Sequence, residues 1–282
     1  MFRMTMNNNI MKQLQQLIPI FLTLLTFFVL AFILYCFVSL LNFFPVADKI
    51  IPRIHVTDVV VGLTIYLKTS VDFAIFIGNL MSKNLGIKNR IAIEIGTALG
   101  NATGTFFVLL IWTFFKEVPL LMIAMIFLAS LVLLEMAKTS LEEFVDVYKN
   151  PFLAYLLKAL EISTLLFSPL LRFILPSTST QSVGYKTFFS LLLFSFTVPL
   201  ILGLDDFAGY IPLFNVVNVF GFALGVFLGH MILNVALFAS PSVTIRVVKQ
   251  PFIALLGSLA FVGIAVWGFV EIGKIIVQLV AH

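Results

Sequence analysis

Long apolar segments alternate with short polar ones along most of the chain. Seven of these segments are long enough to cross the hydrocarbon core of a bilayer, which takes about 20 helical residues. Charged or turn-forming residues separate most of them, and Pro212 marks one very tight turn. The pattern predicts an all-α membrane protein with seven transmembrane helices, at residues 17–44, 59–81, 91–115, 118–138, 187–211, 213–238 and 251–279.

Residues 139–186 depart from this pattern. Their apolar stretch, 152–175, carries three charged residues and Pro169, which disfavour a membrane crossing. Such a mixed stretch is typical of a helix that lies along the membrane surface. We expect an amphipathic helix there, on the cytoplasmic side, followed by a disordered Ser/Thr linker from Pro176 to Ser182.

Composition agrees with a membrane protein. Apolar residues make up 61% of the chain and charged residues only 11%, whereas soluble domains average about 25% charged residues. The single Cys36 excludes an internal disulfide framework, a thiolate metal cluster and a two-cysteine redox relay. The net charge of +4 includes no concentrated basic run, so nothing in it favours nucleic acid as a partner, and membrane lipid is the partner expected from the composition.

The distribution of basic residues predicts the orientation. With the N-terminus placed inside, twelve Lys and Arg fall on one side of the membrane and four on the other, with Lys68 inside a span. A multi-pass protein of the cell membrane with a cytoplasmic N-terminus is therefore predicted.

The chain contains an internal duplication. Asp72-Phe73-Ala74 recurs as Asp206-Phe207-Ala208, and the pattern G-x-A-L-G-x-x-x-G begins once at Gly96 and again at Gly221, in the same order. Small residues four apart favour close helix packing in a bilayer, which is our first interpretation of the glycines. Backbone contact with a substrate is the second.

Each copy contains three predicted helices, so an odd number of crossings separates equivalent positions. If the central region stays on one side, the second copy enters the membrane from the opposite face, which is the inverted-repeat plan of many secondary transporters. The predicted divisions are an additional helix and loop at 1–58, repeat 1 at 59–138, a linker at 139–186 and repeat 2 at 187–282. A homodimer is left open.

Acidic residues inside a span are candidates for function, because burying a carboxylate in a bilayer is costly. We expect Asp72 and Asp206 to face each other across the repeat interface and to form the core of a metal or other cation site. Backbone carbonyls near Pro199 and Gly203, where the helix could break, are also expected to contribute. Other candidate site residues are Asp205, Ser70, Thr69, Asn79, Lys68, Glu94, Asn101 and His230.

Two of these candidates have structural alternatives. Lys68 stands four residues before Asp72 on the same predicted helix face, where the two side chains could simply neutralise each other. His230 could accept a proton or bind a ligand, or it could hydrogen-bond to a neighbouring helix.

The run Thr69-Ser70-Val71-Asp72, together with Ile95-Gly96-x-x-x-Gly100, resembles the LysE superfamily of exporters, most closely its cadmium-resistance-transporter and manganese-exporter branches. The resemblance covers both repeats and implies a metal or small-solute transporter with Asp72 and Asp206 at its site.

The leading hypothesis is a secondary active transporter, not an enzyme, that moves a cation by alternating access. Oxygen ligands favour a hard divalent ion such as Mn²⁺, Ca²⁺ or Mg²⁺ as the cargo. The alternative is an exporter of an amino acid or similar zwitterion, with Lys68 holding a carboxylate and Asp206 an amine. No catalytic residue and no resident cofactor are predicted. A two-aspartate membrane protease is disfavoured, because Gly203-Leu204-Asp205-Asp206 only approximates its G-x-G-D motif.

Overall fold

The computed structural model describes residues 2–45, 49–84, 86–165, 187–214 and 217–281; within these ranges it does not describe the side chains of 2–19, Asp72, Glu143 and 201–209. Helices are the regular secondary structure of this part of the chain, which confirms the all-α prediction. They are α1 (Phe2–Leu41), α2 (Val56–Thr69), α3 (Val71–Lys83), α4 (Ile87–Phe115), α5 (Pro119–Tyr148), α6 (Pro151–Leu165), α7 (Phe188–Tyr210), α8 (Val219–Ala239), α9 (Pro241–Val248) and α10 (Pro251–Ala281), with a short 3₁₀ turn at Ile211–Leu213.

Five helices of the described chain are long and apolar enough to cross a membrane: Ile20–Leu41 of α1, α4, α5, α8 and α10. The bent pair formed by α2 and α3 makes a sixth if the two count as one span. The predicted span at 187–211 is helical as α7, but its described apolar part, Phe188–Leu200, is short. The protein is thus a multi-helix membrane protein, and the count of seven crossings stays a prediction.

Helix α6 folds back against the end of α5. The side-chain oxygen of Asn150 accepts hydrogen bonds from the backbone N–H groups of Phe152 and Leu153, which begins the helix. Leu160 of α6 is buried in one apolar cluster with Leu141 of α5. The predicted surface helix 152–175 is therefore helical through Leu165, and its remainder and the Ser/Thr linker lie outside the described residues.

Three helix pairs make the most extensive contacts: α5 with α10, α4 with α7, and α2 with α8. Glycines bring the last two pairs together. A Cβ atom at Gly225 of α8 would overlap the carbonyl oxygen of Val59, and one at Gly100 of α4 would overlap that of Phe196. The predicted packing role of these glycines is confirmed, because only a residue without a side chain permits such an approach.

Paired contacts also give the relative directions of the helices. Between α2 and α8 the contacts advance together, from Asp58 with Gly221 to Tyr66 with Gly229. Between α4 and α7 they also advance together, from Gly96 with Leu192 to Gly100 with Phe196. Helices α2 and α8 therefore run parallel to each other, as do α4 and α7.

Helices α4 and α8 cross in opposite directions. Thr97 lies near Asn234, whereas Phe106, farther along α4, lies near the earlier Phe227 of α8. Helix α1 packs on both α4 and α8. Its Phe37 stacks on Phe106, with ring centroids 4.8 Å apart.

The predicted helix at 59–81 is broken at Ser70. Helices α2 and α3 meet there at an angle of 66°. The backbone N–H of Ser70 still donates to the carbonyl of Tyr66, at 2.9 Å, and the Thr69 hydroxyl turns back to the carbonyls of Ile65 and Tyr66. Hydroxyl groups that bond to the preceding turn are known to bend helices.

The expected break near Pro199 and Gly203 is wrong, because α7 continues as a helix from Phe188 to Tyr210. Pro199 is buried and lies close to Gly100 of α4. Proline removes one hydrogen bond from a helix, but here the close fit against α4 accompanies an uninterrupted helix.

Candidate functional site

A cluster of buried and half-buried polar side chains lies where α1, α4 and α8 meet. We name it the Glu94 cluster, and its members are Thr23 of α1, Glu94, Thr97 and Asn101 of α4, and His230 and Asn234 of α8. The side chains of Glu94, Thr97 and Asn234 are 0% exposed, and that of His230 is 4% exposed. Buried polar groups in such number have to satisfy one another or bind something else.

Helical spacing brings these residues to one place. Positions 94, 97 and 101 are three and four residues apart, so they share one face of α4, and His230 and Asn234 share one face of α8 in the same way. Because α4 and α8 run in opposite directions, the beginning of α4 faces the end of α8. The Arg90 guanidinium reinforces this end by donating to the carbonyl of Phe238, at 3.3 Å, as suits a cation at a helix C-terminus.

His230 is held on both sides of its ring. Its Nδ1 lies 2.7 Å from the hydroxyl of Tyr66 on α2, and its Nε2 lies 2.9 Å from Nδ2 of Asn234. With the Asn234 amide in this orientation, its Nδ2 donates to Nε2, which assigns the ring proton to Nδ1 and makes Tyr66 its acceptor. The ring is also covered by Phe73 of α3, with centroids 5.6 Å apart.

Glu94 is the least satisfied member of the cluster. The Thr23 hydroxyl and the Asn234 amide lie beside its carboxylate, yet no donor of the described residues makes a well-formed hydrogen bond to Oε1 or Oε2. Oδ1 of Asn234 and Nδ2 of Asn101 are also buried without a partner in this part of the chain. A carboxylate that stays ionised here needs a counter-charge, since an isolated buried charge costs far more than a buried dipole.

A small cavity opens beside these groups. Its volume of about 10 Å³ is room for about one water molecule. The wall consists of Thr23, Thr26, Phe27 and Leu30 of α1, Glu94, Ala98 and Asn101 of α4, and Phe227, His230 and Met231 of α8. Helix α1, the additional helix outside both predicted repeats, thus closes the cavity on one side.

Three of the predicted site residues, Glu94, Asn101 and His230, come together in this cluster. Thr69 and Ser70 lie instead at the break between α2 and α3, and Asn79 is exposed on α3. Asp72 lies in the first turn of α3, and Asp205 and Asp206 lie in α7, but their side chains are outside the described residues. The expected meeting of Asp72 with Asp206 therefore stays a prediction.

Lys68 contacts a different element from the one predicted. Its Nζ donates a hydrogen bond to the carbonyl of Ile253 at the start of α10 and lies beside Gly257. The predicted shared helix face with Asp72 is interrupted by the break at Ser70, which places the two residues on separate helices.

Sequence reasoning missed three members of this network, Thr23, Tyr66 and Asn234. Asn234 had a signal, because it follows His230 by one helical turn and so shares its face. Tyr66 and Thr23 had none, since only the folded chain brings α1 and α2 against α4 and α8.

The described residues do not by themselves form a metal centre. No three His, Cys, Asp or Glu side chains come together within the ranges given above. Comparisons with protein-family models, curated proteins and solved structures find no match to this chain. The resemblance to LysE exporters accordingly stays a prediction, and the function has to be argued from the geometry.

Proposed function

We propose that this protein is a secondary active transporter of the cell membrane that moves a cation, with a divalent metal ion as the first candidate, by alternating access between two inverted three-helix repeats. Repeat 1 comprises α2 with α3, α4 and α5, and repeat 2 comprises α7, α8 with α9, and α10. The N-terminus is proposed to be cytoplasmic.

The helix pairing carries this proposal. Exchanging the two repeats turns the α2/α8 contact into the α7/α4 contact and leaves the α5/α10 contact as it is, and these are the three most extensive contacts. Glycines of the duplicated pattern mediate both exchanged contacts, Gly225 in one and Gly100 in the other. Opposite directions of α4 and α8, the second helices of the two repeats, are what an inverted arrangement requires.

Two further features support transport. Transporters of this plan commonly place ion and substrate sites at interrupted helices between the repeats. The span formed by α2 and α3 is interrupted in this way at Ser70. Glu94 and His230 come from different proposed repeats and meet in a buried polar seam. Ionisable groups in that position are otherwise rare, because the bilayer penalises them.

Uptake into liposomes tests the proposal. Purified protein is reconstituted and supplied separately with Mn²⁺, Ca²⁺, Cd²⁺ and lysine, under an imposed pH gradient. We expect accumulation of a metal ion and its loss, by at least tenfold, in the double variant Asp72→Asn, Asp206→Asn. Accumulation of lysine alone would replace the cation proposal by the amino-acid alternative, and full activity of the double variant would remove the two acids from the site.

A further inference from the structure

The unpartnered atoms of the Glu94 cluster show what kind of species would complete it. Three of them, both carboxylate oxygens of Glu94 and Oδ1 of Asn234, are acceptors, and one, Nδ2 of Asn101, is a donor. The cluster therefore has more unpartnered hydrogen-bond acceptors than donors. A proton on Glu94 adds a donor to the cluster, and the cavity beside Glu94 and Asn101 has room for about one water molecule, which can both accept and donate.

The charges around Glu94 also indicate a proton or another monovalent cation. The residues that face Glu94 from α1, namely Thr23, Thr26, Phe27 and Leu30, carry no charge, and neither do Phe227 and Met231 of α8. Tyr66 of α2 lies behind His230, which is neutral in the arrangement described above. Arg90, the cation one turn away on α4, donates to the carbonyl of Phe238. Among the described residues that line the cavity, Glu94 is the one acid, and one monovalent cation neutralises its charge whereas a divalent ion would overcompensate it.

The cluster is also connected to the break in the membrane helix. From Glu94 the chain of contacts passes to Asn234, then to His230 at 2.9 Å, and then to Tyr66 at 2.7 Å. The carbonyl of Tyr66 in turn accepts from the backbone N–H of Ser70, where α2 ends. A change at Glu94 can therefore reach the interrupted helix through a chain of direct contacts.

We propose that Glu94 is the coupling-proton site of the transporter, and that its protonation sets the state of the break at Ser70 through Asn234, His230 and Tyr66. This inference rests on the proposed function, for which it names the coupling ion. The protonated carboxyl donates to Oδ1 of Asn234, so that Nδ2 of Asn234 faces His230. The ionised carboxylate attracts Nδ2 instead, and the amide turns over.

The turned amide presents its oxygen to Nε2 of His230. Two acceptors then face each other, which displaces the imidazole ring and weakens its hydrogen bond to Tyr66. No covalent bond of a cargo forms or breaks. One proton enters Glu94 from water on one side of the membrane and one leaves to water on the other.

Infrared difference spectroscopy tests the proton site without any cargo. The protein in lipid nanodiscs is moved from acidic to alkaline buffer, and the carbonyl stretch of protonated carboxyl groups is followed. We expect a band that disappears in alkaline buffer and is missing in Glu94→Gln, whose amide keeps the size and neutrality of the protonated side chain. The control Glu271→Gln alters a carboxyl that is paired with Lys274 on α10, and it should keep the band.

Hydrogen exchange tests the connection to the break. Exchange of the peptide that contains Tyr66 to Ala74 is measured in acidic and alkaline buffer and corrected for the intrinsic effect of pH. We expect the protection of wild type to differ several-fold between the two buffers, and that of Glu94→Gln to be the same in both. Tyr66→Phe should keep the infrared band and lose the pH response at the break.

Several results would overturn the inference. They are a titrating band that persists in Glu94→Gln, an unchanged pH response of the break in that variant, or a response to added Na⁺ at constant pH, which would assign the site to sodium. Should Glu94→Gln fail to fold, Glu94→Asp must shift the pH at which the band disappears, and an unshifted band would reject the site. Liposomes that take up Mn²⁺ equally well with and without a pH gradient would reject the coupling while leaving the proposed transport in place.

Discussion

Two kinds of contact hold the central helices of this protein together. In the α2/α8 and α4/α7 pairs, glycines let the backbone of one helix touch the other, as Gly225 does at Val59 and Gly100 at Phe196. Where α4 crosses α8 beneath α1, the helices are instead separated by polar side chains and a small cavity around Glu94. The glycine contacts are closely packed, whereas the Glu94 cluster contains buried polar atoms without a hydrogen-bond partner among the described residues.

This difference indicates which parts move together. Each glycine pair takes one helix from each proposed repeat, and shifting its helices apart would lose close packing along their length. The seam between the two pairs is made of side chains that can exchange hydrogen-bond partners. We infer that the glycine pairs behave as rigid units and that rearrangement takes place across the Glu94 cluster.

The largest expected effect is at the glycine contact of α2 with α8. Gly225→Leu forces the two backbones apart and should lower the free energy of unfolding by about 3 kcal/mol or more. Thermal and denaturant unfolding in detergent measure it. The matched control is Gly263→Leu on α10, since a Cβ atom there meets nothing within 4 Å. Equal stability of the two variants would show that the contact is not tight.

A substitution in the α4/α7 contact tests whether the two glycine contacts are structurally equivalent. A Cβ atom at Gly100 would overlap the carbonyl of Phe196, so Gly100→Leu should destabilise the protein to within about 1 kcal/mol of Gly225→Leu. The same unfolding measurement applies. A tolerated leucine at Gly100 beside a damaging one at Gly225 would mean that the two pairs are not structurally equivalent.

A substitution in the Glu94 cluster should raise the stability of the protein instead of lowering it. Glu94→Leu replaces an unpartnered buried carboxyl by an apolar side chain of similar size and should raise the free energy of unfolding by about 1–3 kcal/mol. Transport into liposomes should be lost at the same time. Glu271→Leu removes a half-buried carboxyl whose partner, Lys274, is exposed, and its stability should stay within about 0.5 kcal/mol of wild type. Destabilisation by Glu94→Leu would show that Glu94 is a structural partner.

The smallest effect is expected at the contact between α2 and the Glu94 cluster. Tyr66→Phe removes the hydroxyl that meets His230 at 2.7 Å and should cost about 1 kcal/mol of stability. Tyr35→Phe is a suitable comparison, because Tyr35 is 51% exposed on α1. If both substitutions leave stability unchanged, the hydrogen bond between α2 and α8 contributes no stability.

The course of the helices was largely predictable from the sequence. Apolar segments of sufficient length gave the membrane helices, and the glycine pattern gave close packing, because both depend on local composition and spacing. The break at Ser70 was not predictable, since the bend lies at hydroxyl residues between two apolar runs. Proline was the expected signal, and it misled at Pro199, where a close fit against Gly100 accompanies a continuous helix.

The candidate site was predictable only in part. Spacing along α4 drew attention to Glu94 and Asn101, and His230 stood out as a polar residue in a very apolar helix. Which helices face one another is a property of the whole fold, so Thr23 and Tyr66 could not be connected to them. The expected pair of Asp72 and Asp206 remains a prediction, because those side chains are outside the described residues.

Helix α1 packs on α4 and α8 and belongs to neither proposed repeat. Two interchangeable halves alone would give inward-facing and outward-facing forms of nearly equal energy. Helix α1 packs on one side of the two halves and so makes the energies of the two forms unequal, because its contacts are kept in one form and strained in the other. If the protein is the proposed transporter, it should therefore favour one of the two forms at rest, and deletion of the residues before Pro45 should bring the two forms closer in population.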